Sequence, residues 1–323
     1  MCVRSPQARQ QPAVHACRIS LYTVGVSQTI TSGQESTAEL DGATLGRGWD
    51  ALAALRTPRK HTAITWAART DIGRVRENNE DKFDFYAPDD PATLALRGRL
   101  WAVADGMGGH SAGQIASEAS LKTLIRSYFN PGDTDAHAAL LSAFADANAL
   151  IYRAARNMGG GKNGMGTTLV AVAVMEDTVL VAHVGDSRVY RFRAGELSQV
   201  TTDHSWVEEQ VSRGALTREQ AETSPYRNMI TRSVGVEASV MPDVTAHKAV
   251  AGDMYLLCSD GLSGFVSDAM LQENMAKTSN PSRLVLDLID ASNDAGGKDN
   301  ITALVLRIDA VTGTETTGSG AAV

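Results

Sequence analysis

Leu100-Trp101-Ala102-Val103-Ala104-Asp105-Gly106 ends an unbroken apolar run on an acid and a glycine, and the pattern of elements after it decides the fold. Five apolar residues bounded in this way read as a buried strand. Two long helical patterns come next, where a parallel sheet would need one crossover helix and then a strand. In 111–128 the apolar stripe is Ile115, Ala119, Leu121, Leu124, Ile125 and Tyr128. In 135–156 it is Leu140, Leu141, Phe144, Ala147, Ile151 and Tyr152, again with a 3.6-residue period. Strand patterns resume at 167–174, 178–184, 188–193, 254–259 and 301–308, joining an earlier one at 64–68. Asp177 and Gly195 mark tight turns between successive runs, which is hairpin and therefore antiparallel logic. A third amphipathic helix is expected over 281–293 through Leu284, Val285, Leu288 and Ile289, with Pro281 suited to its start. Helices gathered in a block, not placed after every strand, predict an α+β layered fold and argue against a doubly wound sheet. No internal repeat appears at a fixed period.

The 323 residues are 43% hydrophobic and 21% charged, enough apolar material for a sizeable core. The formal charge of −7 excludes the basic footprint of a nucleic-acid binder. Cys2, Cys17 and Cys258 show neither paired nor CxxC spacing, which points to a reduced, cytoplasmic protein. The most apolar stretch, 164–185, is broken by Glu176-Asp177, too early for a membrane span of about 20 residues. No export signal is visible near the start. Residues 1–60 carry seven basic and four acidic side chains, a net of +3, whereas 61–323 carry a net of −10. The first segment is rich in Ser, Thr, Gln and Gly, and apart from a short helix around 49–55 it shows no sustained period. It is expected to be a disordered extension. The domain is then 61–310, and 311–323 is a tail.

Several acids of this domain follow directly on apolar strands. Asp105-Gly106 ends 100–104, Asp260-Gly261 ends 255–259, Asp186 ends 181–185, and Asp299-Asn300 stands just before the strand at Ile301. A carboxylate at the end of a buried strand is fixed and aimed beyond the sheet edge. Several converging on one spot repel one another unless a cation sits among them. All-oxygen ligands suit Mg²⁺ or Mn²⁺ better than zinc. Any single Asp-Gly is more often an ordinary turn; the recurrence after three strands is what counts. A further cluster, 71–81, holds Arg76, Glu80 and Asp81, residue types able to offer a phosphate fork and water ligands. Taken by itself, that cluster reads as a solvated charge run.

Taken in order, the segments RENNED (76–81), ADGMGGH (104–110), GTT (166–168), HVGDSR (183–188), TDHS (202–205), CSDGL (258–262) and KDNIT (298–302) resemble the metal-dependent serine/threonine protein phosphatases of the type 2C or PPM family, bacterial branch. The resemblance implies a four-layer α/β/β/α sandwich of two antiparallel sheets flanked by helix pairs. It implies that Asp105 bridges two Mn²⁺ or Mg²⁺ ions with the Gly106 carbonyl on one, and that Asp260 and Asp299 bind the other. Glu80 and Asp81 would hold metal-bound water, Arg76 would grip the substrate phosphate, and Asp186 would serve a weaker third metal together with Asp260. The implied reaction is attack of a metal-activated water on phosphoserine or phosphothreonine in proteins, reversing a cognate Ser/Thr kinase, with no phosphoenzyme. The implied catalyst acts as a monomer, without nucleic acid or membrane.

Two alternatives stand beside it: hydrolysis of a small phosphate ester at the same site, and an idle phosphoprotein-binding module. The module predicts loss of Asp105, Asp260 or Asp299, and all three are present. Cys258 lacks a cysteine-phosphatase loop and reads as core. Met107 stands where eukaryotic members have a histidine, and Gln114 where the bacterial pattern often has glutamate. His110 is a candidate acid, set against its reading as an exposed loop histidine. Segment 203–234 fits the family's flap, with capping boxes expected at 205–208 and 217–220.

Overall fold

The computed structural model describes residues 60–108, 111–130, 135–157 and 164–313. Its strands are β1 (Lys60–Asp71), β2 (Asp81–Tyr86), β3 (Arg99–Met107), β4 (Gly166–Thr167), β5 (Leu169–Met175), β6 (Thr178–Val184), β7 (Arg188–Arg193), β8 (Glu196–Gln199), β9 (Asp243–Lys248), β10 (Met254–Cys258) and β11 (Ile301–Gly313). The helices are α1 (Pro91–Arg97), α2 (Ser111–Tyr128), α3 (Ala136–Asn157), α4 (Trp206–Ser212), α5 (Arg218–Thr223), α6 (Asp260–Ser263), α7 (Asp268–Lys277) and α8 (Pro281–Asp294). One sheet runs β1-β11-β10-β7-β8, the other β2-β3-β5-β6-β9, with β4 pairing β3. Every ladder is antiparallel.

Side chains alternate across each strand, so a strand buried on both faces reads as an unbroken apolar run. The inner faces bring Trp101, Val103, Val170, Val172 and Val181 against Val189, Tyr255, Leu257, Leu304 and Leu306. The outer face of the second sheet carries the smaller Ala102, Ala104, Ala171, Ala173 and Ala182, which let α2 and α3 pack close with Leu121, Leu124, Leu140 and Phe144. On the other side Leu256, Cys258, Ala303 and Val305 meet Leu271, Met275, Leu284 and Leu288 of α7 and α8. The result is the expected α/β/β/α order of layers.

β6 and β7 coincide with their expected spans, and α2 and α8 do so to within one residue. Other expectations need correction. In the apolar stripe of α2, Leu121, Leu124 and Tyr128 are buried, but Ile115 is 47% exposed. Toward the helix start the buried face runs through Gly113, Ala116, Ser117 and Ser120 in place of Ile115. The strand at 301–308 continues to Gly313, paired with β1 from Lys60 onward, so 311–313 are strand and not tail. The run 167–174 is interrupted at Thr168. Thr217 makes the full capping box with Gln220, but Ser205 makes half of one, since the Glu208 carboxylate pairs with Arg218 at 2.6 Å. The helix expected at 49–55 lies outside the described residues.

Candidate metal centre

Antiparallel pairing collects the acid-bearing strand ends at one end of the sandwich. The start of β2 lies beside the end of β3, with Asp81 opposite Asp105. The end of β10 pairs the starts of β7 and β11, through Cys258 with Arg188 and Ala303. The β6 end that leads into Asp186 lies beside the start of β5. Asp260 opens α6 directly after β10, and Asp299 immediately precedes Asn300 and β11. Five carboxylates thus share one region, and each is felt by its neighbours.

Like charges opposite one another on adjacent strands are destabilising, and the protonation behaviour shows it. Burial pushes the Asp81 carboxyl up to about 7, with Asp260 and Asp299 adding to the rise and the hydrogen bond from Ser259 opposing it. Asp105 is pushed well above the usual carboxylate range by burial and by the charges of Asp81, Asp260, Asp186 and Asp299. Asp186, 8% exposed, is pushed up to about 8 by burial, then by Asp260 and Asp203. Asp260 is raised by burial and Asp299, although its hydrogen bond with Asp105 and the charge of Arg76 work the other way.

The cations in reach are already engaged. Arg76 Nη2 donates to Asp299 Oδ2 at 2.6 Å. Lys82 Nζ donates to the carbonyls of Asn79 and Asp81. Arg188 donates through Nε and Nη2 to Asp203. Fully buried Asp81 accepts from Ser259 Oγ at 2.6 Å through Oδ2, while its Oδ1 has no hydrogen-bond partner among the described residues. A buried carboxylate oxygen without a donor, inside an all-oxygen set of net negative charge, fits a hard divalent cation or water bound to one.

The backbone around the cluster is tightly placed. A Cβ on Gly106 would lie 2.1 Å from the Gly113 carbonyl oxygen, and one on Gly113 would lie 2.1 Å from Glu80 Oε2. Only glycine at both positions lets α2 start against the β3 end and the 80s loop. Glu80 is anchored through its main chain, its N–H donating to Asn300 Oδ1 and its carbonyl accepting from Ser117 Oγ. Asn300 also donates to the carbonyls of Ile72 and Asn78, which fixes the loop that carries Arg76. The Arg76 side chain is 54% exposed at the mouth. His110 lies outside the described residues.

A second titratable group sits behind Gly185. Among the described residues, the set of three or more His, Cys, Asp or Glu whose ligand atoms all lie within 4.8 Å is His183, His204 and Asp243. The two rings stack at 4.5 Å. Gly185 N–H donates to His204 Nδ1, which leaves Nε2 as the protonated nitrogen of the neutral ring. Burial, with His183 and Arg232 nearby, brings His204 down to about 4. Arg232 Nη1 lies 2.7 Å from Asp243 Oδ1 and 3.0 Å from His204 Nε2, so a guanidinium takes the place an ion would occupy.

Arg76, Glu80, Asp81, Asp105, Gly106, Asp186, Asp260 and Asp299 therefore all stand at this end of the sandwich. Sequence reasoning assigned no role to Ser259, Asn300, Thr302, Thr167 or Thr168, which hold them. Their signal was membership of the quoted segments, without any hint of which group each one touches. Cys258 is fully buried and its thiol is pushed up to about 12 by burial, as a core residue should be.

The protein phosphatase 2C family model matches residues 74–300. Over 242 residues the chain is 39% identical to the serine/threonine protein phosphatase PstP of Mycobacterium tuberculosis, a match covering 75% of this chain and 44% of that protein. The chain thus spans less than half the length of that relative. It is 34% identical over 242 residues to the protein phosphatase PhpP of Streptococcus pneumoniae, covering 74% of this chain and 96% of the relative. The crystal structure of the PstP catalytic domain in complex with two manganese ions superposes with a TM-score of 0.66 at 36% identity, covering 77% of this chain and all of that one. The chain belongs to the protein phosphatase 2C family.

Proposed function

We propose that this chain hydrolyses phosphoserine and phosphothreonine in proteins, using two Mn²⁺ or Mg²⁺ ions held by Asp105, the Gly106 carbonyl, Asp260 and Asp299. Glu80 and Asp81 orient water bound to them, and Asp186 with Asp260 serves a weaker third ion. The single observation that carries this is the cluster of raised carboxylates around Asp105, closed by the donorless Asp81 Oδ1. When bound, the ions supply Lewis-acid charge for the phosphate oxygens and lower the pKa of the attacking water.

The chain's own residues do the rest. Buried strand ends hold the carboxylates before substrate arrives, so no reorganisation is needed during reaction. Arg76 uses Nη2 on Asp299, which leaves further guanidinium donors to face a phosphate at the mouth. Enclosure of Cys258 removes it as a nucleophile. The family and its bacterial relatives support phosphoprotein substrates. A cognate Ser/Thr kinase, a role in signal transduction, a cytoplasmic location and a monomeric state belong to the same proposal. No described helix is long and apolar enough to cross a membrane. The test is phosphate release from a phosphothreonine peptide with and without manganese. Asp105→Asn is expected to abolish release while the protein stays folded; wild-type turnover in that variant, or turnover undiminished in EDTA, overturns the proposal.

A further inference from the structure

We infer that Thr168 is a positioning residue that sets the spacing between the Asp105 strand end and the Asp186 turn, and through it the manganese affinity of the centre. The inference rests on the ligand roles proposed above for Asp105 and Asp186. Thr168 falls between β4 and β5, outside both strands, so its main chain and hydroxyl are free for other partners. It is fully buried. Its N–H donates to the Asp105 carbonyl at 2.8 Å, and its Oγ1 accepts the Asp105 N–H at 3.0 Å. One residue therefore grips both backbone polar groups of Asp105. Oγ1 also hydrogen-bonds Ser187 Oγ, 2.7 Å away and likewise buried. Ser187 directly follows Asp186.

The same side chain packs on the turn from the other side. Gly185 has φ +109°, and a Cβ added there would lie 2.7 Å from the Thr168 Cβ. Thr168 thus touches the main chain of one ligand and both neighbours of another. Its neighbour strengthens the grip: Thr167 Oγ1 donates to the Asp105 carbonyl at 2.8 Å, and Thr167 is bridged to Val234 by two backbone hydrogen bonds. The hydroxyl does what no aliphatic side chain of equal volume can do, accepting the Asp105 N–H on one side and hydrogen-bonding the Ser187 hydroxyl on the other. Residues that hold ligands in place typically govern metal affinity by about 10–100-fold.

The experiment titrates manganese into the EDTA-stripped, re-dialysed full chain by calorimetry, with circular dichroism of the metal-free protein alongside. Thr168→Val keeps the volume and removes the hydroxyl. Manganese binding is expected to weaken about 10–100-fold, while Thr168→Ser stays within a few-fold of wild type. Ser187→Ala, which spares the Asp105 contact, covers the case in which Thr168→Val does not fold; it is expected to weaken the weakest class of sites selectively. A purely structural role lowers the melting temperature and leaves the affinity of the folded protein unchanged. Affinity at the wild-type value in folded Thr168→Val, or in Ser187→Ala where that is the variant used, overturns the inference. Asp105→Asn, titrated in parallel, separates the two failures. If it binds manganese like wild type, the ligand assignment falls and takes this inference with it; if it loses manganese while the Thr168 and Ser187 variants keep it, only this inference falls.

Discussion

Asp81→Asn should make the metal-free protein more stable at neutral and alkaline pH, although it removes a residue of the proposed centre. Asp81 is fully buried and opposite Asp105, with one oxygen bonded to Ser259 and the other lacking a donor. Its carboxyl lies at about 7 in the folded chain, against about 3.9 for an unfolded aspartate. The folded state therefore binds the proton more tightly. Stability from this group is fully present below about pH 4 and is lost as pH rises toward the folded value. A displacement of roughly three pH units, at about 1.4 kcal/mol each, sets a ceiling of about 4 kcal/mol. Charge sharing with Asp105, Asp260 and Asp299 brings the expectation to roughly 2–4 kcal/mol, or a melting shift on the order of 5–10 °C for a domain of this size. Asparagine keeps an acceptor for Ser259 and turns an amide toward the carboxylates. In EDTA the variant's advantage over wild type should be small at pH 4.5 and full by pH 8. With saturating manganese the order should reverse, because wild type gains more from binding. Equal pH dependence of the two melting curves between 4.5 and 8 in EDTA would refute the electrostatic reasoning.

Asp260→Asn should abolish manganese-dependent hydrolysis with the protein still folded, since it removes a charge felt by Asp81, Asp105 and Asp186; turnover and thermal melting measured together check this. Arg76→Ala should lower kcat/KM roughly 10–150-fold, the equivalent of a charged hydrogen bond, and Arg76→Lys should recover part of the loss. Its exposed ion pair with Asp299 should cost the fold little. A sharp change in manganese half-saturation at unchanged kcat would reassign Arg76 to metal support. Deleting residues 1–59 should leave hydrolysis of a small phosphate ester within a few-fold, because every motif and the first strand lie beyond them; a dead or unfolded truncation contradicts the domain boundary.

The acids were legible because their signature is local. An apolar strand that stops on Asp-Gly or Gly-Asp announces both the buried ladder and the aimed carboxylate within six or seven residues, and three such sites in one chain are hard to explain as turns. The groups that hold those acids have no local signature. Ser259 reaches Asp81 across 178 residues, and Asn300 reaches the 72–80 loop across more than 200. The elements that escaped notice fail for a different reason. β9 is an edge strand whose exposed Asp243, Thr245, Ala246 and Lys248 hide any alternation, and α1 is seven residues long, although Asp90 capping a helix that opens at Pro91 is a readable start. The start of α2 is a third case, where Ile115 alone of the expected stripe is exposed. Hydrophobicity assigns the buried face to Ile115, but that turn must pass against Glu80 and the Gly106 backbone. Small residues, Gly113 and Ser117, are therefore buried there and isoleucine is turned to solvent. Near the centre, close approach of backbone to backbone outweighs the burial of one large side chain. Periodicity therefore fails beside the acids, where the proposed chemistry asks for it to fail.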